Sequence, residues 1–281
     1  MLASIESQTF PAALTEVLLV DNHEAPEVEQ VIDRLLLEKD WRGPQVHVLH
    51  APKPGSYAAR NIGIRNARGK ILAFTDVDCR PDHRWLEHGL HQFRNPDVSI
   101  VAGAIVHKFN NPQQPGLFEV YDSLMHLHQE WYVAHGFAAT ANLMVRRPVF
   151  EAFGEFDEHS FSGSDAEWGK RVTAGGEVIL YCGRAAVSHE TRHRLATLVT
   201  RSRRGVGGAY ISGRRAEKDF RHILRAEVDF ARLRFNLLRQ RYQATLPRYP
   251  FPTLAAVWAL LHLVRVSEIA ALSLGAQPER R

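Results

Sequence analysis

Apolar residues follow two different spacings along the first half of the chain. Continuous apolar runs at Glu16–Val20, Val46–Leu49, Ile71–Phe74 and Val98–Val106 are typical of buried strands. Between the first two runs, Glu27–Lys39 has apolar residues at the three- and four-residue spacing of one helical face. Helical patterns also follow the second and third runs, so strand and helix alternate. This order predicts an α/β fold, in which a mixed, mostly parallel sheet is flanked by helices.

The second half of the chain is less regular. The elements that it predicts are helix Leu117–Tyr132, strand Ala138–Val145, a loop-rich stretch Phe150–Gly163, helix Asp165–Ala174, and short strands Glu177–Tyr181 and Ala186–Ser188. From Leu195 onward the pattern is helical, with a break at Pro247–Pro252. We therefore expect an α/β domain over residues 1–212 and a basic helical extension over residues 213–281.

Composition indicates a globular chain with an uneven charge distribution. The chain has 281 residues, of which 45% are hydrophobic and 23% charged, so disorder is not expected. The net charge is +4, and the arginines are concentrated in residues 192–248. A basic C-terminal third suggests an anionic partner, such as phosphate groups or an anionic membrane surface. No nucleic-acid reader motif is found, so nucleic acid is not expected as a partner.

Cysteine usage and hydropathy indicate the compartment. Cys79 and Cys182 are the only cysteines and lack metal-type spacing, which predicts buried thiols in a reduced, cytoplasmic chain. No signal peptide is recognised. The apolar segment Tyr249–Val264 is short for a membrane span and predicts a buried or interfacial helix. The segment Leu254–Leu274 reads as amphipathic, which suggests peripheral attachment to the inner face of the cell membrane.

Two carboxylates, Asp76 and Asp78, follow directly after the apolar run Ile71–Phe74. Along an extended chain, side chains at i and i+2 point the same way, so the two acids would share a side. Oxygen ligands of this kind suit Mg²⁺ or Mn²⁺, which takes phosphate oxygens and water as further ligands. Alternatively, Asp76 caps a helix and Asp78 is a solvated turn acid. Ligands of open α/β sheets bind beyond the carboxyl ends of the strands, where these acids fall.

Four segments together resemble the family 2 glycosyltransferases, which are inverting enzymes with the GT-A fold. Glu16–Asn22 is similar to the family's strand ending in Val-Asp-Asp or Val-Asp-Asn, and Gly55–Gly63 to its Gly-x-x-x-Ala-Arg-Asn-x-Gly helix. Phe74–Asp78 resembles its Phe-x-Asp-x-Asp, and Asn142–Arg171 its acceptor-side pattern. Each motif alone is weak, but four in the same order are specific. The resemblance implies a GT-A nucleotide-diphospho-sugar transferase fold.

The resemblance also assigns donor-side roles. It implies that Asp21 contacts the nucleotide, that Arg60 stacks on the base or reaches phosphate, and that Asp76 lies near the ribose. Arg204 lies in a glycine-containing basic segment and would clamp the diphosphate. For each residue an ordinary alternative exists: a turn aspartate, a surface arginine, or a basic helix face for anionic lipid.

The metal and the general base follow from the same comparison. Asp78 is the implied metal ligand and His189 an additional one, although a lone histidine is more often structural. Asp165 resembles the family's base, which takes the proton of the acceptor hydroxyl. Ser164 stands where the family usually has glutamate, which affects hydrogen bonding around the acceptor. Alternatively, Asp165 or Ser164 caps the helix.

The implied function is metal-assisted inverting transfer from a nucleotide-sugar donor, expected to be a UDP-sugar, to a saccharide or lipid-linked acceptor. An inactive nucleotide-sugar-binding or scaffold subunit of a polysaccharide assembly complex is the alternative. A nucleotidyltransferase would need a Gly-rich phosphate loop with lysine, which is not found. The family's usual first strand is not recognised before Leu2, and we expect that it is encoded upstream.

Overall fold

The computed structural model describes residues 1–22, 28–160, 162–215, 219–245 and 247–276. The predicted helix start at Glu27 lies outside these residues. Two compact units are formed. Unit 1 comprises Met1–Val106, His128–His159 and Ser164–His189, and unit 2 comprises His107–Leu127, Ser160–Gly163 and Glu190–Arg281. This division differs from the expected boundary at residue 212, because the segments after residues 106 and 189 pack with the C-terminal helices.

Seven strands are found among the described residues. In chain order they are β1 (Glu16–Asp21), β2 (Gln45–His50), β3 (Ile71–Thr75), β4 (Cys79–Pro81), β5 (Ile100–Lys108), β6 (Asn142–Arg146) and β7 (Ile179–Glu190). β1 and β2 form a parallel pair, in register from Glu16 opposite Gln45 to Asp21 opposite His50. The other strands form a five-stranded sheet in the order β3-β6-β5-β7-β4.

The direction of the strands differs from the mostly parallel arrangement that the alternating pattern predicts. Four strand pairs have a residue-by-residue register. β1 and β2 are parallel, whereas β6 is antiparallel to both β3 and β5, and β4 is antiparallel to β7. Local alternation of strand and helix predicts which elements form. It does not predict that the later strand β6 inserts between β3 and β5, because that pairing is long-range.

Eleven α-helices are found in the described residues. They are α1 (Leu2–Glu6), α2 (Val28–Glu38), α3 (Ser56–Asn66), α4 (Trp85–Gln92), α5 (Leu117–Met125), α6 (Gln129–Ala134), α7 (Arg147–Phe153), α8 (Ser164–Ala174), α9 (Leu195–Arg215), α10 (Phe220–Thr245) and α11 (Phe251–Ser273). The predicted helix Leu117–Tyr132 is two helices, because Leu127 has a positive φ of 57°. The loop-rich stretch predicted from Phe150 begins inside α7, and the two short strands predicted after Gly176 are the single strand β7.

The core of unit 1 lies between β3, β6 and the helices that flank them. Phe150 stacks on Trp168 with ring centroids 4.8 Å apart, and Phe156 packs 5.2 Å from the same indole. Tyr57 of α3 and Phe74 of β3 belong to this cluster. Aromatic rings each bury a large apolar area, so the cluster fixes α3, α8 and the end of β3 in one arrangement. The site described below is built on these three elements.

Unit 2 is mostly helical and has a core of its own. α5, α9, α10 and α11 bury Leu124, Leu198, Leu238 and Leu254 among one another. α11 is long and apolar enough to cross a membrane by length and composition, and a third of its most apolar window is buried. The prediction of an amphipathic segment here was wrong, because apolar residues occur all around α11.

Candidate functional site

The segment Asp76–Asp78 forms the turn that joins β3 to β4. The turn is closed by the amide of Cys79, which donates a hydrogen bond of 3.0 Å to the carbonyl of Asp76. Because the chain turns here, the two carboxylates do not share a side as an extended chain would require. Asp76 contacts α3 and Asp78 contacts β7, as the distances below establish. Each acid therefore has a separate neighbour.

Arg60 and Asp76 form an ion pair at the end of β3. Arg60 Nη2 lies 2.6 Å from Asp76 Oδ1, and the two side chains are 18% and 35% exposed. The guanidinium carbon of Arg60 also lies 5.3 Å from the ring centroid of Tyr57, which precedes it by one helical turn. The structure thus brings Arg60 and Asp76 together, and Asp76 is engaged with α3 through its charge rather than by capping a helix.

Asp78 and His189 meet on the other side of the turn. Cys79 pairs with His189 across β4 and β7, and Asp78 Oδ2 lies 3.5 Å from His189 Nε2. The Asp78 side chain is 63% exposed, whereas His189 is buried and its Nδ1 has no hydrogen-bond partner within the described part of the chain. Among the described residues, no group of three or more histidine, cysteine, aspartate or glutamate side chains is arranged to hold a metal ion.

Asp165 lies in the first turn of α8 and is anchored through one of its two oxygens. Oδ1 accepts hydrogen bonds from the Tyr57 hydroxyl at 2.9 Å and from the Ala166 amide at 3.0 Å. No described residue donates to Oδ2. Ser164 is buried and its Oγ has no partner in the described regions, so the expected alternative that Ser164 caps the helix is not observed.

Asp21 and Asn22 end β1 beside the loop that leads into α3. Asp21 is buried, and its carbonyl accepts a hydrogen bond from the Ala51 amide at 2.7 Å. The Asn22 side chain donates to the Lys53 carbonyl at 2.6 Å and accepts from the Gly55 amide at 2.6 Å. Gly55 has a φ of 132°, a conformation that glycine adopts without strain. Asn22 therefore holds the loop so that α3 starts at a fixed place.

The Cys79 thiol, which follows the acidic turn, and the buried Tyr57 hydroxyl both have strongly raised pKa values. Burial, together with the negative charges of Asp76 and Asp78, raises the pKa of the Cys79 thiol to about 12. Burial and the charge of Asp165 raise the pKa of Tyr57 well above its usual range. Cys79 is consequently an inert buried thiol, as expected, and Tyr57 remains a protonated hydrogen-bond donor at neutral pH.

The remaining predicted residue, Arg204, lies on α9 in unit 2 and is half-buried. Its proposed contact with a diphosphate stays a prediction. Tyr57 was missed by the motif-based reasoning, which singled out Arg60 on the same helix. The spacing contained a signal, because residues three apart on a helix share a face, and Tyr57 precedes Arg60 by three positions.

Comparison with known proteins identifies the family. The sequence model of glycosyl transferase family 2 matches residues 1–154, which is more than half of the chain. The glycosyltransferase AglE of Haloferax volcanii is 34% identical over 193 residues, covering 68% of this chain and 62% of that protein. The pre-mycofactocin glycosyltransferase of Mycobacterium tuberculosis is 28% identical over 214 residues, covering 73% of this chain and 43% of that protein.

A solved structure supports the same fold. The mannosyltransferase PcManGT from Pyrobaculum calidifontis, in complex with GDP-Man and Mn²⁺, superposes with a TM-score of 0.62 at 17% identity. The match covers 98% of this chain and 82% of that chain. The predicted GT-A fold class is thus confirmed. The chain spans less than two thirds of the length of both relatives named above. The chain belongs to glycosyl transferase family 2.

Proposed function

We propose that the chain transfers a sugar from a nucleotide-diphospho-sugar to a saccharide or lipid-linked acceptor with inversion, and that Asp165 is the general base. The observation that carries this proposal is that two residues of α3 each contact a different carboxylate. Tyr57 and Arg60, one helical turn apart, contact Asp165 and Asp76 respectively. A carboxylate suited to deprotonating an acceptor and one suited to the donor therefore belong to a single rigid assembly in unit 1. Inversion needs such a pair, since the base acts opposite the leaving group.

The open oxygen of Asp165 supports the base role. Because Oδ1 is occupied by two donors, Oδ2 is the atom left to accept the proton of an acceptor hydroxyl. A general base must lie within hydrogen-bond reach of that proton, and an anchored carboxylate loses little freedom in doing so. The guanidinium of Arg60, held beside Asp76, is the proposed contact for the base or phosphate of the donor.

Asp78 and His189 are proposed to hold Mg²⁺ or Mn²⁺. A carboxylate oxygen and an imidazole nitrogen 3.5 Å apart fit adjacent positions around one divalent ion, and both donor types suit Mn²⁺. With two protein ligands, the diphosphate and water would complete the coordination. When bound, the metal would neutralise the charge that develops on the leaving diphosphate. The Mn²⁺ in the PcManGT complex supports this proposal.

The first experiment is a donor screen by thermal shift with Mn²⁺. We expect one nucleotide-sugar, from a panel of UDP-sugars and GDP-sugars, to raise the melting temperature, since a ligand that binds the folded state stabilises it. Hexose donors are the expected class. GDP-mannose belongs in the panel because PcManGT was solved with it. If no nucleotide-sugar binds in the presence of Mn²⁺, the proposed function is wrong.

The second experiment changes the base. Asp165→Asn retains the hydrogen bonds to Tyr57 and Ala166 but cannot take a proton at neutral pH. We expect the transfer rate to fall by at least about a hundredfold while donor affinity is unchanged. Parallel loss of donor binding would remove Asp165 from the role of base. Binding of the donor by the wild-type protein without transfer to any tested saccharide or lipid-linked acceptor would favour the scaffold alternative.

We also propose that unit 2 attaches peripherally to an anionic membrane surface. The solvent-exposed side of α11 carries Leu260, Leu263 and Val266, which are 42%, 68% and 41% exposed, and no charge. Exposed apolar side chains along a helix of about 35 Å are unusual for a surface that faces only water. α10 adds exposed arginines, among them Arg225 and Arg239, that would meet anionic headgroups.

Vesicle sedimentation tests the attachment. Wild-type protein should sediment with phosphatidylglycerol-containing vesicles more than with phosphatidylcholine vesicles, and Leu263→Glu should reduce binding about tenfold or more. Leu37→Glu is the matched control, because Leu37 is 82% exposed on α2 of unit 1. Equal sedimentation of the two variants would contradict the proposal. If Leu263→Glu instead converts a dimer to a monomer without changing sedimentation, the surface binds a second copy of the chain.

A further inference from the structure

Tyr57 occupies a position between the two carboxylates that the proposed mechanism uses. Its hydroxyl donates to Asp165 Oδ1, and its ring lies 5.3 Å from the Arg60 guanidinium, which in turn contacts Asp76. The side chain is only 6% exposed and belongs to the aromatic core of unit 1. A ring packed in this way has little rotational freedom, so the place of its hydroxyl is determined by the core.

The contacts of Asp165 define what Tyr57 can do. Asp165 is half-buried and forms no ion pair with another described residue, so charge partners do not hold it in place. Within the described residues, Oδ1 accepts two hydrogen bonds. One comes from the Ala166 amide, a neighbour in sequence, and the Tyr57 hydroxyl is the only donor from another element. Rotation about the side-chain torsions would break the Tyr57 bond and move Oδ2.

We infer that Tyr57 is a positioning residue that fixes the general base through Oδ1 and thereby selects Oδ2 as the atom that receives the acceptor proton. This inference rests on the proposed function. Tyr57 does not itself take or give a proton in the reaction. Its hydroxyl keeps its proton and donates to the same oxygen before and after Oδ2 is protonated. The core residues around Tyr57 thus set the position of the base relative to Arg60 and Asp76.

The test compares Tyr57→Phe with the wild-type protein under saturating and limiting acceptor. Phenylalanine keeps the ring and removes the hydroxyl, with its hydrogen bond to Asp165 Oδ1 and its contact with the Asp165 amide. A hydrogen bond to a charged group contributes enough to position it that we expect kcat to fall between about tenfold and a hundredfold. The KM and the dissociation constant of the donor should change less than about twofold. Tyr181→Phe, on β7 of the same unit, is the matched control and should leave kcat unchanged.

Four outcomes separate the inference from the proposed function. If Asp165→Asn abolishes transfer and Tyr57→Phe lowers kcat with donor binding intact, both stand. If Asp165→Asn abolishes transfer but Tyr57→Phe retains wild-type kcat, the positioning role is overturned and the proposed base remains. If Asp165→Asn transfers normally, the proposed function fails first. A fall in melting temperature and in donor affinity for Tyr57→Phe, in step with kcat, would assign Tyr57 a purely structural role.

Discussion

Two acids of the proposed site in unit 1 and two acids of the helical core of unit 2 have opposite surroundings. In unit 1, the Asp78 side chain is 63% exposed and Asp165 keeps one oxygen without a hydrogen bond from the described residues. In unit 2, the side chains of Asp122 and Glu227 are 1% and 5% exposed, and each is enclosed by cationic or imidazole groups. Open carboxylates can bind a ligand or take a proton, whereas enclosed ones stabilise one arrangement of helices. Among these four acids, exposure separates the two that are proposed to act in the reaction from the two that are enclosed.

The Asp122 carboxylate of unit 2 accepts hydrogen bonds from both a side chain and a backbone amide. Asp122 accepts hydrogen bonds from His126 Nδ1 at 2.7 Å and from the Arg192 amide at 3.0 Å. Arg234 lies 3.0 Å from His126 Nε2, so that nitrogen accepts and Nδ1 carries the ring proton. Burial and the positive charge of Arg201 hold the pKa of His126 well below its ordinary value, consistent with a neutral ring.

Several arginines of the basic C-terminal third form hydrogen bonds and ion pairs inside unit 2. Arg234 and Arg241 donate to the carbonyls of Met125 and Leu124 at the end of α5, and Arg192 pairs with Asp122. These charges satisfy helix-end carbonyls and a buried acid, so they are not available to an anionic partner. The exposed arginines of α10 remain for that role. Counting charges in the sequence overestimates the charge that a partner can meet.

Removing an open acid should affect ligand binding and leave stability unchanged. We expect Asp78→Asn to weaken Mn²⁺-dependent donor binding by about a hundredfold or more, because it removes a charged ligand of the proposed metal. The free energy of unfolding should change by less than about 0.5 kcal/mol, as for most exposed positions. Calorimetric titration of the donor with Mn²⁺ measures the first quantity. Asp82→Asn, an exposed acid beyond the same turn, is the control and should bind the donor normally.

Removing an enclosed acid should have the reverse effect. Asp122→Asn leaves Arg192 without its charge partner, and loss of one member of a buried ion pair costs about 3 kcal/mol of unfolding free energy. Urea unfolding measures this cost. Asp229→Asn is the control on an exposed pair of α10 and should cost less than about 0.5 kcal/mol. Equal stability of the two variants would contradict the distinction between enclosed and exposed acids.

Lowering the pH should reduce the stability that Asp122 contributes to the folded state. Burial alone would raise the pKa of Asp122, but the hydrogen bond from His126 and the charge and backbone amide of Arg192 outweigh it and hold the pKa far below its ordinary value. Asp122 therefore stabilises the folded state above the unfolded pKa of about 3.9, and this contribution is lost as pH falls through the folded pKa. The difference in unfolding free energy between wild type and Asp122→Asn should shrink below about pH 4. A difference that grows with acidity would contradict this assignment.

The arginines of unit 2 should differ in how much each contributes to the unfolding free energy. Arg192→Ala should lower the unfolding free energy by about 2 kcal/mol or more, since it leaves Asp122 buried without its cationic partner. Arg232→Ala removes an exposed pair with Asp229 at 3.6 Å and should change the unfolding free energy by less than about 0.5 kcal/mol. Vesicle binding should show the opposite order, with Arg232→Ala the weaker binder. If both variants lose similar stability, the division of the arginines into internal and exposed sets is wrong.

Most elements of unit 1 could be predicted from local pattern, because apolar periodicity specifies what each segment forms. β1, β2 and β3 lie within one residue of the expected bounds. The sheet direction, the break at Leu127 and the course of α11 could not be predicted. Each depends on packing between distant segments, or on one residue in an unusual backbone conformation, and periodicity contains neither.

The candidate site could be predicted in part. The motifs located Arg60, Asp76 and Asp165, and the structure places the first two in contact. They did not separate catalytic from structural positions: Asn61, in the same motif as Arg60, is buried and exchanges hydrogen bonds with the backbone of Phe156. Tyr57 was missed because its role arises from contact with α8, more than a hundred residues later in the chain.

The anomeric configuration of the product shows whether Asp165 acts as the base of a one-step transfer. Wild-type protein, the donor found by thermal shift, Mn²⁺ and an acceptor that accepts the sugar would be combined, and the product's anomeric proton coupling measured by NMR. A single displacement assisted by Asp165 predicts that the configuration is inverted relative to the donor. A product that retains the donor's configuration would contradict the account, because Asp165 could not then act as the base of a one-step transfer.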